Sequence, residues 1–352
     1  MFIAGLGGAT PPRCYTQAEC WEVLIRSRKF SELDGRSKSL LKKILLGQNG
    51  IECRHLALSS LEQAFNLDPD TCHQRFAEHA PALAEAAARE ALHSAEIDVG
   101  RVDALLISTC TGYLCPGLTS YLNERLGLRT DIFALDLVGQ GCGAAIPNLR
   151  TAEALLAAGR AENVLTICVE VCSAAFYLDN DPGVLVSACL FGDGAAAAVC
   201  SNDSGKARRK VRWETCRALL SAADRELLRF ETRGGMLRNI LSLSVPELAA
   251  AHVEKVLAET LAATTVQKQA LSAWILHAGG RNVLSALKAR LELSDADLVW
   301  SSDILRRFGN LSSSSVLFVL RAALESGAPG GYWWMTSFGA GFSCYGALLH
   351  VS

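Results

Sequence analysis

The chain lacks an excess of either charge. Its 352 residues carry 34 Lys and Arg against 36 Asp and Glu, a formal net charge of −2. A nucleic-acid partner or an anionic membrane surface is therefore not expected. The one basic run, Arg208 to Lys210 with Arg212, reads as decoration of a solvated loop or hairpin. No stretch of about 18 apolar residues escapes a charge, which excludes a membrane-spanning helix. Met1 to Thr10 lacks a basic segment followed by a long apolar one, so no export signal is expected. The 13 cysteines are scattered, without a Cys-x-x-Cys pair or a clustered Cys/His spacing, so no metal site is expected. These absences lead to a cytoplasmic protein with reduced, mostly buried thiols.

What is present suits a large folded core. Half of the residues are apolar and 20% are charged, and the length allows two domains or one large double one. Residues 14–96 have polar and apolar residues at helical spacing, and Ala80 to Ala95 is rich in Ala, Glu and Leu. The texture then changes to short apolar runs closed by glycine turns. Strands are expected at 102–108, 133–138, 163–169, 194–199, 273–276, 332–336 and 346–351, with helices at 118–126, 144–158, 282–293 and 308–324. Such alternation indicates a buried, mostly parallel α/β sheet.

The second half of the chain repeats the first. An offset of 168 residues relates Thr109 to His277 and Cys142 to Asn310. A duplicated βαβαβ unit would build two sheets around buried helices, with two helix amino termini aimed at one place.

Cys142 is the sharpest candidate for chemistry. The glycine turn Gly139 to Gly143 puts its thiol at a helix amino terminus, where unpaired amides and the macrodipole favour a thiolate. His277 ends an apolar strand at a Gly-Gly turn, so its ring would emerge at a sheet-edge crevice. Asn310 at a helix start is ordinarily an N-cap, but under the repeat it faces Cys142, with His277 between. The order Cys, His, Asn also occurs in papain-like hydrolases. Their Cys lies near the start of the catalytic domain, whereas Cys142 is mid-chain among Gly and Ala.

Five motifs carry a resemblance over nearly the whole chain: Gly141-Cys-Gly143, Leu190-Phe-Gly-Asp-Gly-Ala195, Trp274-Ile-Leu-His-Ala-Gly-Gly280, Phe308-Gly-Asn-Leu-Ser-Ser313 and Ser337-Phe-Gly-Ala-Gly341. At these residues the sequence resembles the type III polyketide synthases, the chalcone synthase superfamily. The resemblance implies a thiolase-like α/β fold of two βαβαβ halves in a five-layered α-β-α-β-α sandwich. Residues 1–215 would carry Cys142, and 216–352 would carry His277 and Asn310. It implies an acyltransferase that condenses malonyl-CoA units, with decarboxylation, onto an acyl-CoA starter held on Cys142, then cyclises the chain to an aromatic or pyrone product. His277 and Asn310 would handle the thioester oxygens. No metal or cofactor is implied beyond the CoA-thioester substrates.

The same resemblance makes Phe191 an aromatic gatekeeper. It places Cys110, Thr111, Glu170, Cys172, Ala175, Asn239 and Ser312 around the cavity. Asn239, Cys172, Ala175 and Ala340 depart from the plant pattern, which implies a remodelled cavity. Arg54, Lys42 and Lys43, with Gly279 and Gly280, stand in for the CoA-gripping residues. A homodimer is implied, with Cys115 crossing to wall the partner's cavity. The nearest alternative is β-ketoacyl-acyl-carrier-protein synthase III, which condenses once; its His-Gln-Ala-Asn motif differs from His277-Ala-Gly-Gly280.

Overall fold

The computed structural model describes residues 1–205 and 209–352. Arg208 of the basic run lies outside the described residues; nearby, Lys210 donates to the Ser204 carbonyl at 3.3 Å and Arg212 pairs with Glu214 at 2.5 Å.

The strands are β1 (Phe2–Ala9), β2 (Cys14–Thr16), β3 (Cys53–His55), β4 (Ala104–Ser108), β5 (Phe133–Leu137), β6 (Asn163–Glu170), β7 (Gly194–Ser201), β8 (Val211–Leu220), β9 (Leu228–Arg233), β10 (Met236–Leu241), β11 (Leu271–Leu276), β12 (Gly331–Gly339) and β13 (Ser343–Val351). Nine of them form a mixed sheet in the order β11-β12-β13-β8-β1-β7-β6-β4-β5.

The duplication is visible in the pairings. β4 runs parallel to β6, which is antiparallel to β7, which is antiparallel to β1. β11, β12, β13 and β8 repeat that series of directions. The halves meet at a two-residue seam, Phe2 with Arg212 and Ile3 with Val211. The junction expected between residues 215 and 216 falls inside β8. β5 lies outermost in the first half, parallel to β4.

Two helices lie between the halves. Ala145–Ala157 packs on β4, β6 and β7 of the first and on β12 and β13 of the second, while Ser315–Glu325 touches β1, β7, β11 and β12. Pro69–Ala95 covers β1, β6 and β7 from outside, and Val245–Ala262 covers β8 and β13. The result is the α-β-α-β-α arrangement, a thiolase-like fold. No helix among the described residues is long and apolar enough to cross a membrane.

Local chemistry explains these elements. Helix Pro69–Ala95 starts on Asp68, whose side chain accepts from the Thr71 amide at 2.9 Å, with Pro69 in the first turn. Its small face, Ala87, Ala91 and Ala95, is fully or nearly fully buried. A Cβ at Gly5 would lie 2.4 Å from the Ala91 carbonyl oxygen, and one at Gly7 2.2 Å from that of Ala87. β1 is therefore glycine-rich because a helix presses on its backbone. Those glycines also hide it, since they depress strand propensity.

The helical reading of 14–96 is interrupted by the short ladder β2–β3, and a disulfide joins Cys14 to Cys53 across it, with the Cα atoms 6.1 Å apart. This departs from the expectation of reduced thiols, because the ladder puts the two side chains diagonally on one face.

Gly7→Val is expected to lower stability by about 1–3 kcal/mol or more, because its side chain would drive the helix off the sheet. A thermal melt equal to wild type would contradict the close approach.

Candidate active site

Cys142 sits in the tight turn Gly141–Gly143, directly before helix Ala145–Ala157. Gly141 has φ 55, and a Cβ there would lie 2.8 Å from the Ala340 amide nitrogen. The turn is thus pressed against the second half of the chain. Ser337 donates to the Gly143 carbonyl at 3.0 Å, and the Tyr345 hydroxyl donates to the Gln140 side chain.

His277 follows β11, with its amide donating to the Thr336 carbonyl at 3.0 Å. Its ring is buried and stands edge-on to Phe338, with centroids 5.2 Å apart. Asn310 follows Gly309, whose φ is 71. The Asn310 backbone ties the segment around Phe191: its amide donates to the Leu190 carbonyl at 2.9 Å, and its carbonyl accepts from Gly192 at 3.0 Å. Its side-chain amide donates to the Gly279 carbonyl at 3.0 Å, and its oxygen accepts from the Ser312 amide at 2.8 Å. A Cβ at Gly279 would lie 3.2 Å from His277 Nε2, so the imidazole edge and the Asn310 amide share the Gly279 corner. The ordinary N-cap role does not apply to Asn310: the helix that follows begins at Ser315, with Ser314 at its N-cap.

Burial governs the titration. It pushes the Cys142 thiol up to about 12, although the Ser312 hydroxyl, 3.3 Å from Sγ, opposes the rise. It pushes His277 down to about 4. The resting pair is therefore a thiol and a neutral imidazole. The expected thiolate at a helix terminus gives way because desolvation outweighs the nearby amides.

Behind Cys142 lies a polar knot. Glu170, fully buried, accepts from the Cys110 amide at 3.0 Å, the Thr111 hydroxyl at 3.0 Å, Ser312 at 3.3 Å and Ser313 at 2.5 Å. Burial raises its carboxyl above the ordinary range, and these donors hold it back. The Cys110 sulfur lies 3.4 Å from the same Ser312 hydroxyl, and burial drives that thiol well up.

Three hollows meet here. A cavity of about 670 Å³ is lined by Cys142, Phe191, His277 and Asn310, with Gly279, Gly280, Lys43 and Arg281 also on its walls. A constriction of about 20 Å³ follows, lined by Cys142 and Phe191 again, with Thr111, Cys172, Ala175, Asn239 and Ser312. Beyond it, Cys110 and Thr111 open onto a third hollow of about 600 Å³. Asn239 donates to the Ser187 hydroxyl at 2.8 Å in the constriction.

Arg54 does not reach the outer cavity. It is buried, donating to the Ala188 and Phe191 carbonyls at 2.8 and 2.9 Å and to Gln17 at 3.1 Å, because alternation on β3 turns it inward. Lys42 is exposed outside the cavity that Lys43 lines. Cys115 is exposed. Arg281, Phe338 and Ser313 were missed; the run Ser312 to Ser315 after Gly309-Asn310 was the available signal for the last.

Comparison with known proteins gives the family. Residues 14–228 match the family described as FAE1/type III polyketide synthase-like protein, and 227–351 match the chalcone and stilbene synthase C-terminal domain. The chain belongs to the type III polyketide synthases. It is 30% identical over 353 residues to 1,3,6,8-tetrahydroxynaphthalene synthase of Streptomyces peucetius subsp. caesius, covering 99% of this chain and 92% of that one. It is 28% identical over 360 residues to 3,5-dihydroxyphenylacetyl-CoA synthase of Streptomyces toyocaensis, covering 99% and 89%. The crystal structure of PKS-I from the brown alga Ectocarpus siliculosus superposes with a TM-score of 0.90 at 25% identity, covering 99% of this chain and 97% of that one. These relatives support an acyltransferase of the polyketide synthase type rather than β-ketoacyl-acyl-carrier-protein synthase III.

With the thiol at about 12, its thiolate fraction grows about tenfold per pH unit through neutrality. Alkylation of Cys142 by iodoacetamide should rise about tenfold from pH 7 to 8 and again to 9, read by peptide mass. A plateau above pH 7 would mean a thiolate already formed.

Proposed function

We propose that this type III polyketide synthase loads an acyl group from an acyl-CoA onto Cys142, extends it with malonyl-CoA and releases an aromatic or pyrone product. One observation carries the reading: Cys142 and Phe191 line both the outer cavity shared with His277 and Asn310 and the constriction leading inward. A chain on that sulfur has reaction partners on one side and room to grow on the other.

The neutral imidazole of His277 takes the thiol proton at Nε2 as sulfur attacks the acyl-CoA carbonyl and keeps it, while CoA leaves as its thiolate. Malonyl-CoA then enters and loses CO2. The enolate oxygen that forms needs donors, and the Asn310 amide with His277 Nε2–H supplies them. The enolate carbon attacks the acyl thioester and frees the Cys142 sulfur, which takes the lengthened chain back from CoA. No redox or metal step enters the scheme, so CoA thioesters suffice as substrates. Lys43 and Arg281 at the outer mouth suit the CoA phosphates. The halves 1–215 and 216–352 would then contribute Cys142 and the His277–Asn310 pair respectively, in the cytoplasm where CoA thioesters are made.

The same reading includes a homodimer. β5 is an outer strand whose Phe133 and Leu135 are 50% and 38% exposed, and Tyr113 and Val138 beside the inner hollow are 70% and 60% exposed. An apolar sheet edge of this kind calls for a partner, which would bring Cys115 to the neighbouring cavity.

Mass spectrometry after incubation with acyl-CoAs and labelled malonyl-CoA tests the chemistry. Cys142→Ala should lose both acyl adduct and product. Asn310→Ala should keep the adduct while malonyl decarboxylation falls about 10²–10³-fold. An adduct on Cys142→Ala equal to wild type would sink the assignment. Light scattering tests the assembly: wild type should show twice the chain mass and Leu135→Asp the chain mass, whereas a monomeric wild type would refute the dimer.

A further inference from the structure

Away from the catalytic hollow, metal-ligating side chains gather on the ladder β2–β3. The ladder pairs Cys14 with His55, Tyr15 with Arg54 and Thr16 with Cys53. Side chains alternate along a strand, so Cys53 and His55 share one face, and Cys14 stands opposite His55 on that face. Arg54 takes the other face, inward beneath Phe191.

Both sulfurs and one ring nitrogen of His55 lie within 4.8 Å of one another, partly open to solvent. His55 Nδ1 lies 2.8 Å from the Pro11 carbonyl oxygen. A carbonyl only accepts, so Nδ1 carries the proton and Nε2 keeps its lone pair. This is how a backbone carbonyl fixes the tautomer of a metal-binding histidine. The ring is further held by stacking on Phe308, with centroids 5.4 Å apart.

We propose that Cys14, Cys53 and His55, with the Cys14–Cys53 bond reduced, bind one Zn²⁺ ion. Two thiolates and an imidazole are a zinc donor set. Tetrahedral zinc, with Zn–S of ~2.3 Å and Zn–N of ~2.0 Å, holds its ligand atoms roughly 3.5–3.8 Å apart, within the span of this cluster. Water fills the fourth position.

The two states exchange by a balanced step. Two equivalents of a low-molecular-weight thiol pass two electrons to the Cys14–Cys53 bond, leaving two cysteine thiols and the small thiol's own disulfide. Zn²⁺ binding then releases both thiol protons. Oxidised or metallated, the ladder stays clamped, and it underlies the gate: the Asp193 amide donates to the His55 carbonyl at 2.8 Å.

Full-length protein reduced with a phosphine, loaded with Zn²⁺ and desalted provides the test, with metal measured by emission spectrometry and affinity by competition with a chromophoric chelator. Wild type should hold one more zinc per chain than Cys14→Ser or Cys53→Ser. His55→Ala should bind that zinc about tenfold more weakly or worse. Wild type oxidised before loading should lose it. Zn²⁺ should also raise the melting temperature of reduced wild type and leave that of Cys53→Ser unmoved. Equal zinc content and affinity in wild type and Cys53→Ser would overturn the proposal. Wild type alone supplies an independent reading: Co²⁺ in place of Zn²⁺ should give thiolate-to-metal charge-transfer absorption that vanishes on prior oxidation, and absorption indifferent to oxidation would equally overturn it.

Discussion

Ser312 holds its backbone in the left-handed region, at φ 53, and three parts of the site depend on that turn. The conformation costs a non-glycine residue about 1–2 kcal/mol, so the surrounding contacts must hold it. Its amide sets the Asn310 side chain so that the donor end points to Gly279, and its hydroxyl stands between the Cys142 sulfur and the Glu170 carboxyl. The Cys142 sulfur, the Asn310 side-chain amide and the Glu170 carboxyl are thus registered against one another through a single residue. Strain of this kind at a reactive centre is retained where geometry matters more than stability.

Desolvation is the second constraint. Taking the sulfur and the imidazole out of water pushes the thiol up and the imidazole down, so burial opposes charge on either group. The dry site also strengthens any hydrogen bond made to a developing enolate. The helix terminus next to Cys142 contributes orientation more than ionisation.

Much of this was legible from residues. The strand at β4, the helix Leu118–Leu126 and the helix after Cys142 follow from short apolar runs and helix formers, and the 168-residue offset anticipated that Cys142 and Asn310 each precede one of the two helices between the halves. β1 and β8 were not foreseen. β1 is strand by tertiary contact alone, its glycines demanded by a helix far along the chain, and β8 hides its apolar residues among Arg212, Glu214, Thr215 and Arg217, which break up any apolar run. Arg54 shows the limit most plainly. Its charge suggested a ligand contact, but a three-residue strand turns it inward, and nothing local marks which face of so short a strand is buried. Arg281 escaped notice for the converse reason: it opens the helix Arg281–Arg290, and only the packing of the second half brings that helix start to the mouth.

The burial of Arg54 has a consequence for how the protein can change over time. A cation spent on the carbonyls of Ala188 and Phe191 and on the Gln17 side chain ties the amino-terminal helices to the backbone at Phe191. Drift on that peripheral cap would therefore be felt at the constriction that Phe191 lines. The outer cavity shares Phe191 with that assembly and takes Lys43 from the same amino-terminal region, so the cap bears on both hollows at once.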